Sequence, residues 1–272
     1  MYGLRQDRSH DGLLLLRSPR LEALGFRHAF STARGPGDAP FDLSKPGTSR
    51  LGIEAEASAN ALHRFATEAC GPGRLGIANQ VHGVAVVDVD RAAEADADAV
   101  IAEPIRTEDR TGLPWIAAVR TADCVPILLA CPRSGRAAAV HAGWRGLVAN
   151  VVGTAIRRMV DRGSRADEIE AAIGPALGIE GFEIGPEVAL RFRESGLGGV
   201  VRAGSPKPHA DLHAATRIRI AQAGVRESSI DGLPLATEAS SDFFSHRRDA
   251  GLTGRHVSAI RPRMELEANR GI

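Results

Sequence analysis

The sequence predicts a single domain of the α/β or α+β class, and three observations support that. Short apolar runs of strand length alternate with segments of helical periodicity. No internal repeat, heptad run or change of composition marks a linker. With 272 residues and 43% hydrophobic content, the chain has enough apolar material for one sizeable core.

The elements follow in order. Residues 1–12 are mostly polar and read as a flexible N-terminus. Residues 13–17 and 26–32 read as strands, with Pro19 and Gly25 punctuating the link. Residues 33–50, rich in Gly, Pro, Ser and Asp, read as a long loop, and long loops in compact domains often carry function. Residues 54–69 place Ala57, Ala61, Leu62, Phe65 and Ala69 at helical spacing, and Gly71-Pro72-Gly73 ends that helix. Residues 84–89 are a strand, 91–98 a solvated acidic turn, and Ala99–Ile101 a short apolar piece. Residues 103–113 read as loop.

A strand-rich block covers 115–120, 125–130 and 136–141. Residues 147–160 carry an apolar doublet every four residues, which predicts one helix stopped by Gly163. A strand at 168–174 leads into Gly174-Pro175, and a short helix begins near Pro186. Residues 195–209 read as a flexible loop. Asp211 can cap a helix over 211–223, which Gly224 ends. Strands near 230–237 and 255–260 close the domain, and 262–272 reads as a tail.

The formal net charge of +1 gives no long-range field, which disfavours nucleic acid or an anionic membrane as partner. Local basic pockets remain compatible with it. The only lysines are Lys45 and Lys207, and neither lies in an apolar run, so Schiff-base chemistry is not expected. Three irregularly spaced cysteines, Cys70, Cys124 and Cys131, argue against a disulfide framework. Leu13–Leu16 is too short for the core of a signal peptide, and no window approaches a membrane span. The expectation is a reduced, soluble, cytoplasmic protein.

The chemistry-bearing residues gather around 119–147. Cys124 and His141 stand at the rims of two apolar strands, and His82 lies upstream in Asn79-Gln80-Val81-His82-Gly83. One thiolate and two imidazoles can supply three ligands to an open metal site. The same types can form a metal-free cysteine–histidine catalytic pair. The separations exclude a zinc knuckle, so either site must be assembled from separate loops. Asp123, beside Cys124, can orient a ligand or move a proton. Gly83 and Gly143 allow close backbone approach. Arg145, near the start of the predicted 147–160 helix, is a candidate oxyanion or phosphate contact, with a surface ion pair as the plain alternative. Arg247 and Arg248, in a cluster with Asp242, His246 and Asp249, can bind phosphate, close over the site, or form a charged surface turn held by Phe243 and Phe244. Cys70 and Cys131 read as buried structural thiols.

Other templates are absent: there is no P-loop, no complete dinucleotide fingerprint after a strand, no deaminase His-x-Glu with Pro-Cys-x-x-Cys, and no His-x-His pair.

The motifs at 79–83, Thr121-Ala122-Asp123-Cys124-Val125-Pro126, His141-Ala142-Gly143-Trp144-Arg145-Gly146, Ala172-Ile173-Gly174-Pro175 and Phe243-Phe244-Ser245-His246-Arg247-Arg248-Asp249 occur in one order. In that order the chain resembles the laccase-domain family, also called the multicopper polyphenol oxidoreductase or purine nucleoside phosphorylase family. The resemblance covers about residues 24–260 and implies a layered α/β/β/α sandwich with mixed sheets, similar to a toxin-type cysteine hydrolase. It implies zinc on His82, Cys124 and His141, with Cu²⁺ as the alternative ion. It also implies phosphorolysis of adenosine, inosine or methylthioadenosine, and deamination of adenosine, so the expected partners are a nucleoside and phosphate. Gln80, in the His82 motif, is a further candidate substrate contact. Copper-dependent phenol oxidation and peptidoglycan-precursor editing are the other activities ascribed to such proteins. Departures from the family pattern fall at Ile179-Glu180-Gly181, at Ala236, at His246 where tyrosine is usual, and at Ala33 or Arg34.

Overall fold

Strand β8 (Val125–Ala130) is buried along its whole length. Its alternation explains the architecture. Val125, Ile127 and Leu129 join one apolar cluster with Val151, Val152, Ala155 and Ile156 of a helix. Leu128 and Ala130 join a different cluster with Phe30, Ala117 and Val119 of a second sheet. A strand covered on both faces has no solvent side to mark with polar residues, so it reads as a continuous apolar run. Burying each such aliphatic side chain contributes about 1.5–3 kcal/mol.

The chain is described here by a computed structural model covering residues 3–10, 12–104 and 112–263. Of the expected loop at 103–113, residues 105–111 lie outside the described residues, as do 264–272 of the expected tail and residues 1, 2 and 11 of the N-terminus.

The first sheet has the order β1 (Arg5–Arg8), β2 (Leu14–Arg17), β3 (His28–Ser31), β14 (His256–Ile260), β7 (Trp115–Thr121), β4 (Arg74–Gly76). The second has the order β13 (Ile230–Asp231), β10 (Glu170–Ile173), β8, β9 (Ala137–Ala142), β6 (Ala99–Ala102), β5 (Val86–Asp88). Both are mixed: β4–β7, β5–β6 and β10–β13 pair in parallel and the other ladders are antiparallel. Helix α2 (Ala55–Cys70) covers the outer face of the first sheet through Phe65, Ala66 and Ala69 against Ile116, Ala118 and Val257. Helices α4 (Val151–Asp161) and α6 (Leu212–Gln222) cover the outer face of the second. The result is a single-domain α/β/β/α sandwich. No helix among the described residues is long and apolar enough to cross a membrane.

Several elements differ from the sequence expectation. Residues 5–8, expected in a flexible N-terminus, form β1, paired with β2 from Arg5↔Arg17 to Arg8↔Leu14. Their charged side chains suit an edge strand, which has no core face to fill. The segment read as a link at Pro19 contains helix α1 (Pro19–Ala23), capped by Ser18. The expected strand at 230–237 is reduced to β13, because Gly232 turns the chain at φ 108°. The loop at 195–209 opens into a ribbon of β11 (Val201–Arg202) and β12 (His209–Ala210) ahead of α6, which Asp211 caps as expected. Pro186 opens helix α5 (Pro186–Glu194).

The helix expected at 147–160 is two helices, α3 (Trp144–Val148) and α4. Asn150 breaks them apart at φ 68°, ψ 46°, and its side chain accepts a bond from Gly153 N to cap α4. Asparagine tolerates the left-handed region and caps well, so one residue both ends and restarts the helix. Asn150→Ala is expected to lower unfolding free energy by about 1–2 kcal/mol, and Asn150→Gly by less. Urea denaturation checks this; equal losses would show that the left-handed backbone is not the cause.

Candidate metal centre

The chain passes from the first sheet to the second at 122–124, between β7 and β8. Cys124 therefore stands where the two layers meet. His141 is the penultimate residue of β9, in register with Pro126 of β8. His82 lies in the loop between β4 and β5, at φ 60°. The ligand atoms of His82, Cys124 and His141 all lie within 4.8 Å of one another. Among the described residues this is the one group of three or more such side chains close enough to share an ion. His82 Nε2 is 3.8 Å from Cys124 Sγ, close to the roughly 3.6 Å that tetrahedral Zn–N and Zn–S bonds impose. The two imidazoles meet edge to face with centroids 4.9 Å apart.

The residue that organises this cluster is Asp98, at the end of the stretch expected as a solvated turn. Its side chain is fully buried. Oδ1 accepts bonds from His141 Nδ1 at 2.8 Å and from His82 N at 2.9 Å. Oδ2 accepts from Gly83 N at 2.6 Å. Its carbonyl accepts from His141 N at 2.7 Å, extending the β6–β9 ladder. One carboxylate thus fixes the His82 loop and the ring of His141 together. With Nδ1 bonded to Asp98, Nε2 is the nitrogen left for an ion or for the Cys124 thiol. The donor set and its outer carboxylate fit a zinc site, and the same soft set suits copper. The only sequence signal for Asp98 is its place directly before the apolar β6 run.

The ion-free electrostatics follow from this packing. Burial pushes the Cys124 thiol up, but the charge and hydrogen bond of His141, then those of His82, overcome it and bring it down to about 6. Burial pulls His141 down, and the Cys124 thiolate and Asp98 carboxylate overcome that and raise it to about 9. Asp98 is held below the ordinary carboxylate range: burial opposes this, but His141 and the Gly83 N–H prevail. Cys131 is buried at the end of β8, and the buried Cys70 thiol is pushed up to about 12.

Gly143 is sterically required. A Cβ there would lie 2.8 Å from His82 Cδ2 and 3.1 Å from Cys124 Sγ. At Gly83 the closest atom would be at 3.5 Å, an ordinary contact, so close approach is not what that position needs.

The cluster opens into a cavity of about 1080 Å³. Gln80 lines it, and its amide clamps the β7 main chain through Arg120 N and Arg120 O, both at 2.7 Å. Asp123 adopts φ 88°, a costly conformation held by its surroundings. Its Oδ1 accepts from Thr237 Oγ1 and its Oδ2 from Arg247 N, both at 2.6 Å. The Arg247 guanidinium lines the cavity over Phe182 and donates to Gly181 O and Glu183 O. Two expected phosphate contacts stand elsewhere. Arg248 donates to the carbonyls of Thr237, Ser240 and Phe243 and lines a second cavity of about 690 Å³. Arg145 is exposed, stacks on Trp144 at 4.5 Å and does not line the main cavity. The helix it opens is only five residues long. Of the departures, His246 lines the main cavity, Glu180 pairs with Arg202 on the surface, and Arg34 pairs with Asp242 beside the second cavity.

A family model described as multi-copper polyphenol oxidoreductase laccase matches residues 27–263. A purine nucleoside phosphorylase of Deinococcus radiodurans is 37% identical over 260 residues, 92% of this chain and 93% of that protein. One from Mycobacterium tuberculosis is 36% identical over 84% of this chain and 88% of its own. Among solved structures, YlmD from Geobacillus stearothermophilus aligns with a TM-score of 0.77 and 26% identity, covering 95% of this chain and 98% of its own. A Neisseria meningitidis protein aligns at 0.72 and 29%, covering 87% and 93%. The chain belongs to the laccase-domain family of multi-copper polyphenol oxidoreductases.

Asp98→Asn is expected to weaken metal affinity roughly 10–100-fold, and Gly143→Ala to displace His82 and Cys124 and lose the ion with the fold retained. Metal titration and circular dichroism check both. In metal-free protein, Cys124 is mostly thiol below pH 6 and mostly thiolate above it, since its pKa is about 6. Its alkylation by iodoacetamide should therefore climb to half its plateau near that pH; a midpoint at the ordinary thiol value would contradict the ion pair.

Proposed function

We propose that this chain is a zinc-dependent purine nucleoside phosphorylase that also deaminates adenosine. The observation that carries the reading is the His82–Cys124–His141 cluster opening into one cavity with basic side chains, among them Arg120 and Arg247. Relatives of at least 36% identity bear the name purine nucleoside phosphorylase. The cavity volume suits a nucleoside with phosphate beside it.

In phosphorolysis, a phosphate oxygen bonds to the anomeric carbon as the bond to the purine nitrogen breaks. The purine keeps that electron pair and takes a proton from solvent. In deamination, water adds at C6 and ammonia leaves. Zinc, when bound, supplies Lewis acidity that no side chain here can match. The chain's own residues do the rest. His82, Cys124 and His141 would hold the ion, and Asp98 keeps His141 in one tautomer and orientation. Trp144, Leu177 and Phe182 give the purine an apolar wall. We assign Asp123 to positioning: its two oxygens hold Thr237 and the Arg247 main chain, and a proton-transfer role would require it to give one up.

A second reading draws on Asp98, His141 and Cys124, which form a carboxylate–imidazole–thiol series suited to a metal-free cysteine hydrolase, including one that edits peptidoglycan precursors. Copper-dependent phenol oxidation gains less support, because multinuclear copper needs more imidazoles than the one ligand cluster among the described residues offers. Protein location follows the sequence expectation of the cytoplasm.

Zinc-loaded protein incubated with adenosine should yield adenine only when phosphate is present, and inosine without it. Cys124→Ala should abolish both and lower bound zinc. Turnover that survives chelation but not alkylation would favour the hydrolase, and neither product would remove the nucleoside reading.

A further inference from the structure

The sequence marks Arg145, Arg247 and Arg248 for phosphate, yet each is anchored: on a tryptophan ring or on main-chain carbonyls. A different set of cations lines the cavity with fewer of its donors committed. Asp42 is buried and builds the loop that carries two of them. Its Oδ1 accepts from Ser44 N, Ser44 Oγ and Arg255 N at 3.0, 2.7 and 2.8 Å, and its Oδ2 from Ser49 Oγ at 2.6 Å. That carboxylate is spent on backbone and hydroxyl groups, and among the described residues it forms no ion pair with an arginine.

The loop it fixes presents Lys45 and Arg50 at the cavity, both exposed. The β7–β14 ladder sets Val257 opposite Arg120 and His256 opposite Thr121, which brings Arg120 and Arg255 to the same wall. Arg120 gives only its Nε to Leu43 O, at 3.0 Å, so its terminal nitrogens have no partner among the described residues. Burial lowers its pKa to about 10, with Asp42 opposing, and it stays a cation at neutral pH. Arg255 uses one terminal nitrogen on Thr253 O and Gly254 O. Among the described residues Asp123 is the one acidic residue lining the cavity, and both of its oxygens are already bonded. In a chain of formal net charge +1, this wall sets four cations against one buried carboxylate, Asp42.

We propose that Lys45, Arg50, Arg120 and Arg255 form the anion subsite of the cavity and bind a phosphoryl group. The use of that subsite for free orthophosphate rests on the phosphorolysis reading above; a phosphoryl group carried on the nucleoside has the same chemistry. Arg120 stands four residues before Cys124 along β7 and its turn, and the four cations and the ligand cluster line the same cavity. Arg247, over Phe182, is left to the side of the cavity where the purine packs.

The test uses the zinc-loaded full chain, with orthophosphate and adenosine monophosphate as separate probes in calorimetry. Arg120→Gln, and separately the exposed pair Lys45→Gln with Arg50→Gln, should weaken orthophosphate binding by about tenfold or more. The KM for phosphate should rise in step, with the KM for adenosine nearly unchanged. Arginine-dependent binding of the monophosphate alone would mean that the phosphoryl group arrives on the substrate, and the subsite stands. Unchanged affinity for both probes in both variants would overturn it. Adenosine phosphorolysis with an unaltered KM for phosphate would sink the subsite and keep the function. Arginine-dependent phosphate binding without phosphorolysis would do the reverse.

Discussion

One buried carboxylate holds the candidate centre together. Asp98 accepts bonds from the His82 and Gly83 main chain and from the His141 ring, and its own carbonyl joins the β6–β9 ladder. A buried carboxylate is tolerated only where donors satisfy it, and here every donor belongs to a segment that carries or adjoins a ligand. The cost of burying the charge is offset by ordering two ligands at once. Without it the His82 loop, at φ 60°, would have little reason to keep its shape.

The sandwich supplies the frame in which that carboxylate can work. Cys124 lies in the crossover from one sheet to the other, and His141 and Asp98 lie at facing ends of neighbouring strands in the second sheet. The central strands of both sheets are buried on both faces, so a shift of register would move side chains out of the core they fit and into the other. Gly143 then lets the chain leave β9 directly under the His82 ring and the Cys124 sulfur. The precision of the cluster is inherited from core packing, while the loops contribute only short, hydrogen-bonded reaches.

Much of this was legible in the sequence, for identifiable reasons. The strands at 115–120, 125–130 and 136–141 are apolar runs, and the three candidate ligands are rare residue types at their ends or in a glycine turn. Asp98 was hidden because it ends a run of alanine and acid whose other acids, Glu94 and Asp96, are solvent-facing, and one buried carboxylate does not change the composition. The break at Asn150 was hidden because Leu147 and Val151 serve the same core on both sides of it, so the apolar stripe continues although the backbone does not. β1 was missed because an edge strand of charged residues carries no apolar alternation.

The arginines teach a related lesson about charge. A motif singles out Arg247 and Arg248 by their neighbours in sequence, but what an arginine can do depends on whether its donors are already committed. Arg248 meets three carbonyls and an aspartate, and so holds a loop in place. Arg120 is the penultimate residue of β7, a strand that otherwise reads as core. Alternation puts it on the face of Ile116 and Ala118, towards α2, where Leu62, His63 and Ala66 of that helix line the cavity with it. A cation there has lost part of its water and gained no carboxylate, so it remains the group with most to gain from an incoming anion. The chain's near-neutral total conceals this, because ion pairs such as Arg136–Glu103 and Arg162–Asp88 cancel elsewhere in the fold while the cavity wall does not.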